Sequence, residues 1–545
     1  MDKSMDDDAI PSTAGSHALK GEGGFRLAAG GAIDRARTLR FTFNGQAFTG
    51  HPGDTLASAL LANGVRSMGL SRKDRRPRGL VSAGPDEPCA FVTLRGRHGQ
   101  EPGVPAAIVE LFDGLEAVGH DGDAAWRPEQ EEIPDPALWR ELQFGGESAV
   151  HADCDVLVIG SGLAGLSAAR AAAGAGARVI LLEQDSEAGG GALVDPALSN
   201  WRAETLEALR ALPDARLITR AAAVGASSQG LFAAIERVSD PAEPMRPRRR
   251  LHLIRPRKAI LASGAAERLV AFPDNDRPGV MLATAARTWV NRFGAGPGRR
   301  AVFFVNNDEA YAAMRDLAAA GIAVAAVVDP RGPTPISADA KAAGFPVLHG
   351  HEVAGVAGRA GVSGAAIRRV GELAASVMAC DLLCVSGGYT PRIALSAQAG
   401  QEASWNEAIA GFAAPDGGSD FASAGAAAGC FGRREAAEHG ARMGAAAAAA
   451  CGFASAPAPH LPPVAAKRDA PILPLWEVKA AGKAYVDLRR DVTADDMRRA
   501  ASGGDGWSGN LLGSAVLAEA LGLPIAALAT PVAPAEHETK RTSRP

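Results

Sequence analysis

Cys154-Asp-Val-Leu-Val-Ile159, followed at once by Gly160-Ser161-Gly162-Leu163-Ala164-Gly165, is the stretch that decides how this chain folds. The first six residues read as a buried parallel strand, the glycines as a turn, and the alanine-rich run beyond them as a helix. Gly160 permits a tight turn, Gly162 lets backbone approach a pyrophosphate, and Gly165 lets helix and strand pack closely. The helix N-terminus favours an anion. The second half of the unit arrives on schedule. Ala172-Ala-Gly-Ala-Gly-Ala177 closes the helix, Arg178-Val-Ile-Leu-Leu182 is the next strand, and Glu183-Gln184 follows 23 residues after Gly160, where a carboxylate accepts from ribose hydroxyls. Four concordant elements in one βαβ unit predict a dinucleotide site rather than a bare turn.

Working outward, Gly189-Gly190 reads either as a second glycine turn near the pyrophosphate or as a flexible loop. Around Arg257-Lys-Ala-Ile-Leu-Ala-Ser-Gly-Ala265 a buried strand ends in Ser263-Gly264, and Cys380-Asp-Leu-Leu-Cys-Val-Ser-Gly-Gly388 repeats that pattern, which implies one nucleotide domain with a second inserted into it. The inserted unit has its own βαβ start, Arg300-Ala-Val-Phe-Phe-Val305 to Val324-Ala-Ala-Val-Val-Asp329. Its glycine positions have become Val305, Asn307 and Ala310, so Asp329 reads as a strand-end carboxylate rather than a ribose ligand. Cys380 and Cys384 read as core residues on one face of a strand, and His349-Gly-His351 as a surface turn rather than a metal site.

At the other end, Arg40-Phe-Thr-Phe43 and Gln46-Ala-Phe-Thr49 around Asn44-Gly45 predict a hairpin. Asp54-Thr55 caps a helix, and Ala90-Phe-Val-Thr-Leu94 is a later strand. This order resembles a plant-type ferredoxin domain, but the loop Gly79–Ala90 carries Cys89 alone, where a [2Fe–2S] centre takes four thiolates. The expectation is a domain without an iron–sulfur cluster. The basic run Arg72–Arg78 reads as a solvated face.

The predicted class is α/β, a two-dinucleotide (Rossmann-like) flavoprotein-type fold with an inserted second nucleotide domain, preceded by a small α+β ferredoxin-like domain. The expected divisions are a mobile arm 1–36, the ferredoxin-like domain 37–120, a connecting segment 121–151 and the dinucleotide domain 152–270 with 381–455. The inserted domain is 271–380, and a C-terminal linker and helical segment fill 456–545. A net charge of −4 and 5% aromatic residues give no reason to bind nucleic acid. Six cysteines without a C-x-x-C pair fit a reducing compartment, and no apolar run spans a bilayer, so the expected location is the cytoplasm. No acid, base or nucleophile stands out, and no metal site is predicted. Any chemistry then belongs to a cofactor or to another chain.

Further stretches carry a resemblance: Gly30-Gly-Ala-Ile-Asp-Arg35, Gly53-Asp-Thr-Leu-Ala-Ser-Ala-Leu-Leu-Ala-Asn-Gly64, Arg76-Pro-Arg-Gly79, Phe272-Pro-Asp-Asn-Asp-Arg-Pro-Gly-Val280 and Val385-Ser-Gly-Gly-Tyr-Thr-Pro391. Over residues 26 to 525 the chain resembles the α subunit of heterotetrameric sarcosine oxidases. The resemblance implies a ferredoxin-like domain without its cluster, a dinucleotide domain holding NAD, and a partner flavoprotein β-type subunit that carries FAD and the amine-oxidising pocket. It also implies small accessory subunits and FMN between subunits. Here Ala501 passes directly to Ser502-Gly-Gly-Asp-Gly-Trp-Ser-Gly509, family-like sequence resumes at Ala515–Gly522, and the folate-binding domain of that family does not follow. Tetrahydrofolate is therefore not expected, and the shortened segment counts against interface FMN. Related folds hold FAD with a late Gly-Asp pair, but Gly425 is followed by Ala426, which favours NAD over FAD. The leading function is an α-type subunit of a secondary-amine oxidoreductase. The alternatives are a free-standing FAD-dependent pyridine-nucleotide oxidoreductase and a non-catalytic assembly subunit with a structural dinucleotide.

Overall fold

A computed structural model describes residues 24–96, 99–120, 149–238, 248–418, 420–454, 457–464 and 470–501. Most of the expected arm, most of the connecting segment and everything from Ser502 onward, the family-like Ala515–Gly522 included, lie outside these residues. From Phe25 the chain is held in place. The Phe25 amide donates to Ala62 O at 2.9 Å, and its carbonyl accepts from Gly296 N at 2.7 Å. Its ring lies between the Arg66 and Arg299 guanidinium groups, at 4.9 and 5.5 Å.

The first domain is built on the hairpin β1 (Leu39–Phe43) and β2 (Gln46–Gly50). Asn44 and Gly45 both take positive φ, 51° and 75°, the geometry that a two-residue hairpin turn requires. Helix α1 (Leu56–Ala62) follows, with Thr55 and Ser58 forming a reciprocal capping box. All seven of its residues are buried, which exceeds an amphipathic stripe, and they belong to one core that runs on into the inserted domain. Strands β3 (Phe91–Gly96), β4 (Gly99–Pro105) and β5 (Leu115–Gly119) complete a sheet of order β2-β1-β5-β3-β4, in which β1 and β5 run parallel.

The second sheet begins with β6 (Val150–Ile159), α2 (Leu163–Gly174), β7 (Val179–Leu182), α3 (Ser199–Arg210) and β8 (Ala215–Ile218). An antiparallel flap of β9 (Ala221–Ala226) and β10 (Phe232–Val238) leads into the long β11 (Arg248–Leu261), which returns parallel to β6. The chain then leaves through β12 (Ala265–Glu267). It builds β13 (Val280–Leu282), α4 (Ala283–Asn291), β14 (Arg300–Val305), α5 (Ala310–Ala319), β15 (Ala323–Asp329) and β16 (Val347–His349). A meander of β17 (His351–Ala357), β18 (Gly364–Arg369) and β19 (Ser376–Ala379) precedes β20 (Leu382–Ser386). The chain comes back through β21 (Tyr389–Pro391), paired antiparallel with β12. The inserted sheet is wholly parallel, in the order β13-β20-β14-β15-β16. Cys380 and Cys384 correct the one-face reading. Cys380 precedes the strand and packs with Leu383 and Val385, whereas Cys384 packs with Leu382 on the opposite side.

After its return the chain adds β22 (Phe421–Ser423) beside β11 and lays α6 (Arg433–Ala450) across α2. A Cβ at Gly440 or Gly444 would overlap the Ala164 or Ala168 carbonyl, so the two helix backbones touch along a glycine seam. The hairpin β23 (Tyr485–Asp487) and β24 (Val492–Thr493) then closes on the ferredoxin-like domain.

There the basic run departs from the solvated-face expectation. The Arg78 side chain is 2% exposed and bonds to Asp276 and Asp491, with the Tyr485 ring 4.8 Å from its guanidinium carbon. Arg76 joins Asp276 at 2.7 Å and also Asp274. Three segments distant in sequence meet through two guanidinium groups.

Candidate dinucleotide site

The glycine turn sits where β6 ends. Gly160 donates its amide to Leu182 O at 2.8 Å and takes φ +99°, and a Cβ there would overlap the Ala262 carbonyl. Gly165 is as tightly set, since its Cβ would overlap Gly160 O. Gly162 is different: its Cβ would meet nothing within 4 Å. It caps α2 with φ −68° and no side-chain bond, so the first-turn amides of Leu163, Ala164 and Gly165 face a space without a side-chain cap. A helix N-terminus left open in this way suits an anion such as a pyrophosphate.

Ser161 and Glu183 lock the turn. One Glu183 oxygen accepts from the Ser161 amide at 3.0 Å and from its hydroxyl, and the other accepts from the Asp185 amide at 2.8 Å. The Ser161 hydroxyl in turn accepts from Gly189 N at 3.1 Å. Three donors leave a carboxylate with acceptor capacity for a ribose hydroxyl. Gly190 lies against the turn, its Cβ position 2.9 Å from Gly162 Cα. Gly425 approaches from the returning chain with φ +65° and its Cβ position 2.6 Å from Ala164 Cβ, while its amide donates to His439 Nδ1 at 3.3 Å. Gln184 is exposed, and only its carbonyl is engaged, by Arg237 at 3.4 Å. The structure thus gathers Gly160–Gly165, Glu183, Gly190 and Gly425 at one place.

The corresponding crevice of the inserted domain is filled by the chain itself. Asn307 bridges to the Ser386 hydroxyl at 2.8 Å and accepts from Ala310 N, where a glycine turn would leave room. Asp329 holds Arg331 at 2.8 Å and the Tyr311 hydroxyl at 2.9 Å, and Arg331 also reaches Asp308 at 3.0 Å. A strap crosses above: Ala470 N donates to Asp308 at 2.9 Å, and Asn306 donates to Leu473 O at 2.6 Å.

Glu267, on the linker strand β12, escaped the sequence reading. It caps α4 through the Thr284 amide, at 2.8 Å, and hydroxyl. Burial raises its pKa to about 7, against the Ser386, Thr284 and Tyr389 contacts that lower it. A carboxyl raised on folding contributes stability that is complete below its unfolded pKa of about 4.5 and lost as pH rises through about 7. Glu267→Gln is therefore expected to flatten this fall, with urea-unfolding midpoints measured at pH 5 and pH 8 closer together than in the parent.

Comparison with known proteins fits this geometry. Residues 155–261 match the model of an FAD dependent oxidoreductase, and residues 36–121 that of a 2Fe-2S iron-sulfur cluster binding domain. Sarcosine oxidase subunit alpha of Rhizobium meliloti (strain 1021) is 35% identical over 525 residues, covering 87% of this chain and 52% of that protein. Its counterpart from Corynebacterium sp. (strain P-1) is 36% identical over 507 residues, covering 87% and 50%. The chain spans about half the length of these relatives. The structure of L-proline dehydrogenase from P. horikoshii shares the fold, with TM-score 0.58 at 19% identity over 77% of this chain and 75% of that one.

The cofactor expectations are corrected by these matches. The first domain fits a 2Fe–2S iron–sulfur cluster binding model, against the expectation of no cluster, and the glycine cradle lies in an FAD-type domain, against the preference for NAD. Counting cysteines weighs only ligands, and Ala426 weighs only one ribityl contact, whereas both models match whole strand-and-helix frames. Residues 36–121 hold one cysteine, Cys89, whose thiol burial pushes well above its usual range. Its loop donates the Val81, Ser82, Cys89 and Ala90 amides to the Glu87 carboxylate at 2.6–3.0 Å. One thiol does not meet four-thiolate ligation.

Proposed function

The chain is a relative of sarcosine oxidase subunit alpha, and on that premise we propose that it is the α-type, FAD-binding subunit of a secondary-amine oxidoreductase of the cytoplasm. The observation that carries this reading is the cradle around Gly162, open at the Cβ position and bordered by first-turn amides and Glu183. In it the Leu163–Gly165 amides bind the pyrophosphate, Glu183 takes the ribose, and Gly190 and Gly425 keep side chains out of the ligand's path. Bound FAD supplies two-electron redox chemistry. Amine oxidation is assigned to the complex with a flavoprotein β-type partner and small accessory subunits, in keeping with relatives that are named as subunits.

The free-standing pyridine-nucleotide reading is disfavoured by the inserted domain, whose crevice is occupied by Asn307, Arg331 and the Ala470–Leu473 strap. Mass spectrometry of the released nucleotide is expected to give FAD. The chain alone is expected to turn over sarcosine at least about 100-fold more slowly than the chain co-expressed with its flavoprotein partner, a barrier difference of about 2.7 kcal/mol or more. Equal rates with and without the partner would refute the partner-dependent assignment.

A further inference from the structure

We infer that Arg292, supplied by the inserted domain, is a positioning residue of the dinucleotide cradle; the inference rests on the reading of that cradle as an FAD site. Arg292 follows the last residue of α4, and two of its guanidinium nitrogens reach the two Asp185 oxygens at 2.6 and 2.8 Å. A weaker contact runs to Glu187 at 3.4 Å. The Asp185 amide is the donor that fixes one Glu183 oxygen, and the other Glu183 oxygen fixes Ser161 in the glycine turn. A continuous set of bonds therefore leads from the inserted domain to the residues proposed to meet ribose and pyrophosphate.

The grip has two ends. Asn291 donates to Val194 O at 2.8 Å, and Arg287 lies 3.7 Å from Asp195, so the C-terminal half of α4 holds both the start and the finish of the loop that carries Gly189 and Gly190. Arg292 is buried and over the Phe293 ring at 5.1 Å, so its planar fork has one orientation. Burial alone would raise the Asp185 carboxyl pKa, yet the Arg292 guanidinium, together with the Glu187 amide and the Ser186 hydroxyl, outweighs it and lowers that pKa. Lysine offers a point charge and not a fork, so it does not reproduce the two-oxygen contact.

The test uses the full chain stripped of nucleotide, with FAD affinity read from quenching of flavin fluorescence. Arg292→Ala and Arg292→Lys are each expected to weaken FAD by about 10–100-fold, by analogy with the loss of a hydrogen-bonded support behind a metal-binding side chain. Combined with Glu183→Gln, Arg292→Ala is expected to add less than its single effect, because both changes act through one carboxylate. Asp185→Asn keeps the loop's shape and gives the same readout if Arg292→Ala does not accumulate as folded protein. Unchanged FAD affinity in the Arg292 variants, or full additivity with Glu183→Gln, overturns the inference and leaves the FAD reading standing. A parent chain that takes up no FAD overturns that reading, and the inference with it.

Discussion

Gly162→Val is expected to leave a folded chain that no longer retains FAD, with affinity reduced at least about 100-fold, equivalent to about 2.7 kcal/mol. The backbone at Gly162, φ −68° and ψ −171°, suits any residue, and the new side chain would enter space with no protein atom within 4 Å of its Cβ. That space is the ligand's. Gly165→Ala provides the contrast, since its methyl would overlap Gly160 O and strike the fold itself. FAD released per chain on denaturation, measured beside the thermal unfolding of nucleotide-free protein, separates the two cases. Equal FAD retention by Gly162→Val and the parent would mean that the open space is not the pyrophosphate's.

Arg78→Met is expected to carry the largest cost in stability, about 3 kcal/mol or more in urea unfolding of the whole chain. The substitution keeps the length of the apolar stem but leaves Asp491 without its guanidinium and Asp276 with Arg76 alone, all in a site where the carboxylate side chains are at most 1% exposed. Removing one member of a buried ion pair typically costs about 3–5 kcal/mol, whereas removing every charge together costs far less. The triple variant Arg78→Met, Asp276→Asn, Asp491→Asn is therefore expected to regain part of the loss. A single variant within about 0.5 kcal/mol of the parent would show that these charges are not mutually dependent.

What was legible in the sequence was local. Gly160–Gly165 announced itself because strand, turn and helix lie within a few residues, and Asn44-Gly45 did so because a two-residue turn needs two left-handed residues side by side. The insertion was legible for a related reason, since Ser263-Gly264 and Ser386-Gly387 repeat one local pattern at the two crossings between domains. The unread features depend on partners that no window contains. Arg78 meets Asp276 and Asp491 at separations of 198 and 413 residues, and Arg292 meets Asp185 at 107. Gly440 and Gly444 carry no signal in their own neighbourhood, and only contact with Ala164 and Ala168 gives them a purpose. Cys380 and Cys384 misled by their even spacing, because the strand starts at Leu382 and the even–odd rule holds only inside it. The cofactor error has a similar source: one missing cysteine motif and one alanine were set against frames that extend over 86 and 107 residues.

The glycine seam between α2 and α6 also sets a timetable for biosynthesis. The turn at Gly160–Gly165 is translated early, yet Gly425 and the helix that backs it emerge only after the whole inserted domain has been made. At roughly 5–20 residues per second, the roughly 280 residues between Gly165 and Gly444 occupy the ribosome for roughly 15–60 s. During that interval the nascent first half presents the flank of α2 that carries Ala164 and Ala168 without its eventual cover.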